Sequence, residues 1–514
     1  MARMTSSRAP DTRASLWRML ILLGSMGFLG AFAGLLGASG RPEIVAIFLG
    51  LVIAGLIISS RVALFWFVVI GALVVTGLAQ LYLPGSRYVR YVVPLASMAL
   101  LMHWVMDHFT APYRGEPEPW PAPLMWAYAF ALTGIVSLLI NLSDPNVALL
   151  GSKNYFEMWG LFMGVVLLRW EPSFVKRLLV GLVLIALIQL PFAAHEYLFL
   201  VPKRIGLGNG IVPVDIVAGT FGATLLGGGA NAVLAAFMVI VIGWLLALWK
   251  NGVLSAPTAV GLSLLLLSPL LVNQAKIAVL YLPLMYGVVF YRDIAARPVK
   301  FFLAGAGMLG VLAVLLTALT LTNPTGKLHS WSDLVEYVVA RQTASTDDRQ
   351  GYNELTRITS LTFWAKQHAS ANPAHTLLGH GLGASREPEG GLDLAKTLAQ
   401  QKYPGLGIGY TALSALLWDV GIVGVITVLG MFGSAFFLAG RLARHYRSRD
   451  PLRTAWFEGL QAAMAILTLS LAHKDFFVVH LPFQALAYLL VGCIISGWLQ
   501  LRRDEGMRHA QGRV

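Results

Sequence analysis

About fourteen apolar segments follow one another along this 514-residue chain, interrupted once, between Leu321 and Tyr410, by a polar stretch of more than 80 residues. A hydrocarbon core of about 30 Å takes roughly 20 apolar residues per helix, and a backbone that crosses it must satisfy its own polar groups. Segments of this length and spacing therefore predict an all-α fold, a polytopic transmembrane helical bundle of about 14 spans, within a range of 12–14. Three parts follow: 1–322 with about eleven spans, 323–409 as one large loop, and 410–514 with three spans and a tail. The predicted spans lie near 17–38, 43–60, 62–83, 88–106, 122–141, 155–168, 178–200, 224–249, 256–272, 276–291, 301–322, 410–440, 455–472 and 477–500. Lys153 and Glu157 shorten the sixth.

Composition agrees: 57% of residues are hydrophobic and 12% charged, against roughly a quarter charged in soluble domains. The single cysteine, Cys493, falls in the last apolar segment, which excludes a disulfide framework or a thiolate metal cage and leaves lipid-facing or packing roles. Arg3, Arg8, Arg13 and Arg18 precede an apolar run that continues to about Ala38 without a clear cleavage site, so it reads as a retained first helix. Orientation follows from the basic residues, because positively charged short loops resist translocation. With a cytoplasmic N-terminus, 22 of the 38 Lys and Arg are inside, eight lie in short outer loops and eight in the large loop. Both termini are then cytoplasmic, and the large loop faces outward. The +13 net charge is accounted for by basic flanks that touch anionic membrane lipid, and gives no reason to expect nucleic acid. No GxxxxGK[ST] loop is present, which argues against ATP-driven chemistry, and no internal repeat suggests a transporter built from inverted halves.

The large loop reads as amphipathic helix. Ser330 to Asp333 resembles a helix start, and Leu355, Ile358, Leu361 and Trp364 recur at intervals of three. Several of its residues, and of those at the outer ends of the spans, are candidates for chemistry. Lys276 follows Asn273 and Gln274 at the mouth of a span, where it either snorkels to headgroups or binds a substrate anion. Lys203 and Arg204 precede a glycine-rich run, 206–210, and Asp215. Arg349 and Arg357, eight residues apart, fall on one face if a single helix carries them, and an arginine fork binds phosphate bidentately. Pairing with Asp347, Asp348 and Glu354 is the alternative. Seven histidines fall on the outer side: His195, His329, His368, His375, His380, His473 and His480. His375 and His380 are poorly spaced as metal ligands. His473, Lys474 and Asp475 cap an outer hairpin, where a histidine is either a general base or an interfacial hydrogen-bonding group.

Taken together, these motifs resemble the O-antigen ligase and polymerase superfamily. The resemblance rests on Arg357 to Trp364, on Leu378-Gly-His-Gly-Leu-Gly383, and on Gly421-Ile-Val-Gly424 in the following span. Gly219 to Gly222, Asn231-Ala232 and Asn273 to Lys276 are weaker segments, and the whole covers roughly residues 200–430. The resemblance implies glycosyl transfer without metal or other cofactor at the periplasmic face of the bacterial inner membrane. The donor would be an undecaprenyl-diphosphate-linked oligosaccharide, and the acceptor a second lipid-linked glycan or lipid A core. Arg357, Arg349, Lys276 and Arg204 would hold the diphosphate, and Lys276 stands where the family often has arginine. The family's usual His-Asn pair, eleven residues before the first glycine of Gly-x-x-Gly, is replaced by Tyr410 and Thr411, which shifts the expectation from ligase toward polymerase. His380 is a candidate replacement base, and Asp419 a candidate for orienting the acceptor; alternatively, the Gly-His-Gly run is a turn and Asp419 a structural partner. A lipid-linked sugar flippase and a nonenzymatic assembly component are the competing readings.

Overall fold

The structure, a computed structural model, describes residues 54–55, 57–83, 89–110, 120–171, 173–205, 213–225, 229–299, 355–369, 372–387 and 396–510, with a few single positions between them. The chain divides into two compact units, Met1–Leu64 and Phe65–Val514, and the site described below belongs to the second. Among the described residues every regular element is helical, and nine helices are long and apolar enough to cross a membrane. This is an all-helical, multi-pass membrane protein.

The nine coincide with nine of the predicted spans. They are α1 (Arg61–Tyr82), α2 (Val89–Thr110, apolar through Asp107), α3 (Ala122–Ile140), α6 (Phe174–Ile205), α7 (Ala230–Lys250), α8 (Ala256–Asn273), α9 (Ala278–Ala296), α13 (Ala412–Tyr446) and α16 (Leu481–Ala510, apolar through Glu505). The sixth predicted span is two short helices, α4 (Pro145–Phe156) and α5 (Trp159–Leu167). They meet at Met158, which leaves helical geometry beside the buried Glu157, itself bridged to Arg90 and Lys153. The thirteenth is α14 (Pro451–Ser470), whose Arg453 and Glu458 make it less apolar than the nine. The first and eleventh predicted spans lie outside the described residues or nearly so, as does most of the second. Four short helices complete the set: α10 (Arg357–His368), α11 (Pro373–Leu378), α12 (Leu398–Lys402) and α15 (Phe476–Val479).

Local chemistry sets the helix starts. Asp144, Ser255 and Asp450 accept hydrogen bonds from the first-turn amides of α4, α8 and α14, and a proline occupies the first turn of each, where its missing N–H costs nothing. Packing then sorts the helices. α7 and α16 are almost wholly buried, whereas α2, α8 and α9 expose most of their apolar surface, which suits lipid rather than water. α7 meets α14 where Trp244 stacks on Trp456 at 5.0 Å and its indole N–H donates to the Trp456 carbonyl at 3.2 Å. Gly459 makes this approach fit, since a Cβ there would collide with Trp244. Cys493 is buried, so of its two expected roles packing is the one it fills.

One stretch breaks the helical rule. The eighth predicted span begins at Ala230 rather than near 224, because Gly222 and Gly229 take positive φ and the chain from Pro213 to Leu225 runs as short turns. Its backbone is satisfied by side chains. Glu196 accepts from the amides of Ala218 (2.9 Å) and Gly219 (2.6 Å), while Gln189 accepts from the Thr220 amide and donates to its hydroxyl. Irregular backbone at membrane depth is tolerated where protein buries and satisfies it in this way.

Candidate functional site

The central device is a break in α13. Gly421 sits at φ 68°, ψ −166° inside this 35-residue helix, in its first third, and a broken turn frees the carbonyls that precede it. Three of them are used from outside the helix. The Leu417 carbonyl accepts from the Trp364 indole at 3.1 Å, that of Trp418 from the His380 amide at 2.8 Å, and that of Asp419 from the Gly381 amide at 3.0 Å. The Leu378–Gly383 motif therefore docks through its backbone onto the broken turn. Its glycines are needed there: Gly379, Gly381 and Gly383 all have positive φ, and a Cβ on Gly379 would collide with the Asp419 backbone. Gly151 of α4 admits the loop from the other side, where a Cβ would strike Leu382.

Asp419 is wholly buried. One carboxylate oxygen accepts from the Ser385 amide at 2.7 Å and the other from the Tyr155 hydroxyl at 2.8 Å. Ser137 of α3 links the same turn, donating to the Asp419 carbonyl at 2.9 Å and accepting from the Gly381 amide at 3.1 Å. These contacts hold the loop.

α10 lies across this assembly. Thr356 caps it, its hydroxyl accepting from the Thr359 amide in a reciprocal capping box, so Arg357 is the first helical residue. Thr356 is extended, so α10 starts at Arg357; Arg349, expected to share a helix face with it, lies outside the described residues. The buried face of α10 is Thr356, Ser360, Trp364 and His368, a spacing of four rather than three, and Ile358 is exposed. Leu355, Trp364, Ala399, Ile408 and Trp418 form a small apolar core beneath the loop segments.

The two ends of α10 carry different chemistry. At its C-terminal end, Nε2 of His368 and Nε2 of His380 are 3.1 Å apart, and His375 packs on His380 with ring centres 4.4 Å apart. Burial first, then the neighbouring His375, His368 and Lys402, pushes His380 down to about 4, and burial also lowers His368. His368 and His380 are thus neutral near pH 7, with one imidazole donating to the other. No group of three metal-ligating side chains able to hold an ion is found among the described residues.

At its N-terminal end, Arg357 Nε donates to the His473 carbonyl at 2.7 Å, and its guanidinium faces the Tyr410 ring at 5.9 Å. Lys474 Nζ faces the same ring at 4.4 Å. Arg386 binds Asp475 at 2.7 Å one residue further on. Tyr410 is thus a ring platform for two cations. Eleven residues of helix, about 16 Å, separate Arg357 from the His368–His380 pair. The structure therefore does not bring His380 beside Arg357.

Lys276 and Arg204 lie at the same end of the bundle as Arg357. Tyr281, one turn into α9, hydrogen-bonds Ser470 at 2.7 Å and is within electrostatic reach of Arg357, and Lys276 stands just before that helix. Asn273 and Asn231 exchange side-chain-to-carbonyl hydrogen bonds at 3.1 and 3.2 Å, and Asn231 also donates to Asp215 at 3.3 Å. Arg204 is buried near Asp215, with Nε and Nη1 unpartnered. Gly229, two residues before Asn231, packs against the Lys474 chain. Sequence reasoning missed Lys474, Arg386 and Tyr155 as members of this assembly. The charged triplet His473-Lys474-Asp475 was a usable signal for the first, whereas nothing local marks a tyrosine 264 positions from its carboxylate partner. Comparison of the sequence with protein-family models finds none that matches, and comparison with characterised proteins finds no match either.

Proposed function

We propose that this protein transfers a glycan from undecaprenyl diphosphate to an acceptor sugar at the periplasmic face of the bacterial inner membrane, acting as a polymerase in preference to a ligase. In this reading the bundle has about 14 spans, both termini are cytoplasmic, and the loop 323–409 is periplasmic. The observation that carries the proposal is the gathering of Arg357 and Lys474 on Tyr410, at the same end of the bundle as Lys276 and Arg204. An oligosaccharyl diphosphate is already activated, so the enzyme must hold the leaving charge, align an acceptor hydroxyl and take its proton. Arg357 and Lys474 serve the first need, Arg357 by a forked contact and Lys474 as a point charge. Lys276 and Arg204 extend the cationic lining. Asp419 and His380 position the glycine loop, as their hydrogen bonds to Ser385, Tyr155 and Trp418 favour. The replacement of the family's His-Asn pair by Tyr410 and Thr411 is the reason for preferring polymerase.

The test is a gel profile of surface polysaccharide and lipid-linked intermediates from cells with and without the gene. Loss of long chains, with single repeats left on carrier or core, is the expected result. Long chains stranded on the carrier would make it a ligase, and an unchanged profile would remove the enzymatic reading in favour of a flippase or an assembly component.

A further inference from the structure

The transfer reaction proposed above needs a group that removes the acceptor proton, and the geometry offers one. We infer that His473 is that general base, and that the donor's diphosphate, by settling against Arg357 and Lys474, makes it basic enough to act. This rests on the proposed function.

His473 opens the turn between α14 and α15, where its amide donates to the Ser470 carbonyl at 3.0 Å and its carbonyl receives Arg357 Nε. The imidazole is half-buried, 6.5 Å from the Phe476 ring centre. The charges that reach it are Arg357 from α10 and Lys474 from its own turn, both of which face the Tyr410 ring before α13, while Asp475, two residues on, is bound by Arg386. It is thus the histidine that precedes Lys474 in its turn and receives Arg357 on its carbonyl, whereas His380 meets the far end of α10, about 16 Å of helix away. In the empty protein, burial followed by the charges of Arg357 and Lys474 pushes His473 down to about 3. A bound diphosphate offsets those two cations and adds negative charge nearby, and an adjacent anion favours the protonated imidazole. Basicity then arrives only with the donor in place.

In the step itself, the acceptor hydroxyl gives its proton to the imidazole while its oxygen bonds the anomeric carbon of the donor. The bond from that carbon to the diphosphate oxygen breaks, and the electron pair leaves with undecaprenyl diphosphate. The imidazolium returns its proton to water.

The experiment uses the full-length protein in lipid nanodiscs. Undecaprenyl diphosphate serves as the binding probe, and lipid-linked repeats extracted from cells lacking the gene serve as substrate. For His473→Gln and His473→Asn, binding is expected to stay within about threefold of wild type while single-turnover transfer falls about 100-fold or more, and the loss of rate at acid pH disappears from the profile. Transfer within about threefold of wild type, with the acid limb unchanged, would overturn the assignment. So would loss of binding in both variants, because His473 would then be structural. If Arg357→Ala abolishes transfer and the His473 variants do not, only this inference fails. If the wild type neither binds nor transfers, the proposed function fails first.

Discussion

The two ends of α14 carry polar clusters of opposite design. Near its start, Glu458 is bound by Lys250 at 3.1 Å, Arg447 at 3.5 Å and Asn251 at 2.8 Å, and Lys250 also meets Asp293 at 3.1 Å. Two cations and two carboxylates balance, and Lys250 donates in addition to the Val289 carbonyl. At the other end, beyond Ser470, the described residues gather Arg357, Lys474 and Arg386 with the carboxylate of Asp475. Arg357 and Lys474 rest there on a ring face, and Arg357 also on a carbonyl. A balanced cluster in a nonpolar bundle fixes helix positions and gives an incoming anion nothing to neutralise. A cationic one is arranged to receive charge.

That contrast can be broken in four places. Arg357→Ala should have the largest effect: transfer falls at least about 100-fold while the detergent-solubilised protein keeps its thermal midpoint. Wild-type polymer yield from a correctly inserted variant would remove Arg357 from the site. Glu458→Ala should do the reverse, costing about 3–5 kcal/mol of stability because Lys250 and Arg447 lose their carboxylate. Transfer per folded molecule, measured beside a thermal melt, should hardly change. Gly379→Ala should cost about 1–3 kcal/mol, since alanine is strained at that positive φ and its methyl meets the Asp419 backbone. It should also slow transfer by lifting the loop, and a melt matching wild type would show that the docking is not tight.

The smallest effect concerns His380. Its folded value, near 4, lies below the ordinary 6.5. The unfolded chain therefore binds the extra proton first as pH falls, so this contribution to stability is whole above about 6.5 and is lost progressively toward 4. A series of melts between those limits should show the midpoint dropping, and His380→Gln should flatten the slope; an unaltered slope would mean that other groups govern it.

Much of the bundle was legible because length and hydropathy are local properties: nine predicted spans coincide with helices, and the late start of α7 follows from glycines at positive φ that the sequence displays. The site was legible as a set of residue types more than as an arrangement. Gly421 lies in Val420-Gly-Ile-Val-Gly424, which reads as uninterrupted span, and only the docked loop explains why the helix opens there. The start of α10 was not legible either, because Thr356 caps a helix at a point where periodicity carries one through. The separation of Arg357 from His380 depends on the direction α10 takes across the broken turn, which is set by the Trp364 hydrogen bond to Leu417 and by tertiary packing.

The most direct test of the account is binding of undecaprenyl diphosphate to the protein in nanodiscs, compared among wild type, the double variant Arg357→Ala with Lys474→Met, and Glu458→Gln. The account predicts that the double variant loses binding at least about 100-fold while Glu458→Gln, corrected for its folded fraction, binds like wild type. Equal binding by all three would contradict the claim that the cationic end of the bundle is where the diphosphate sits.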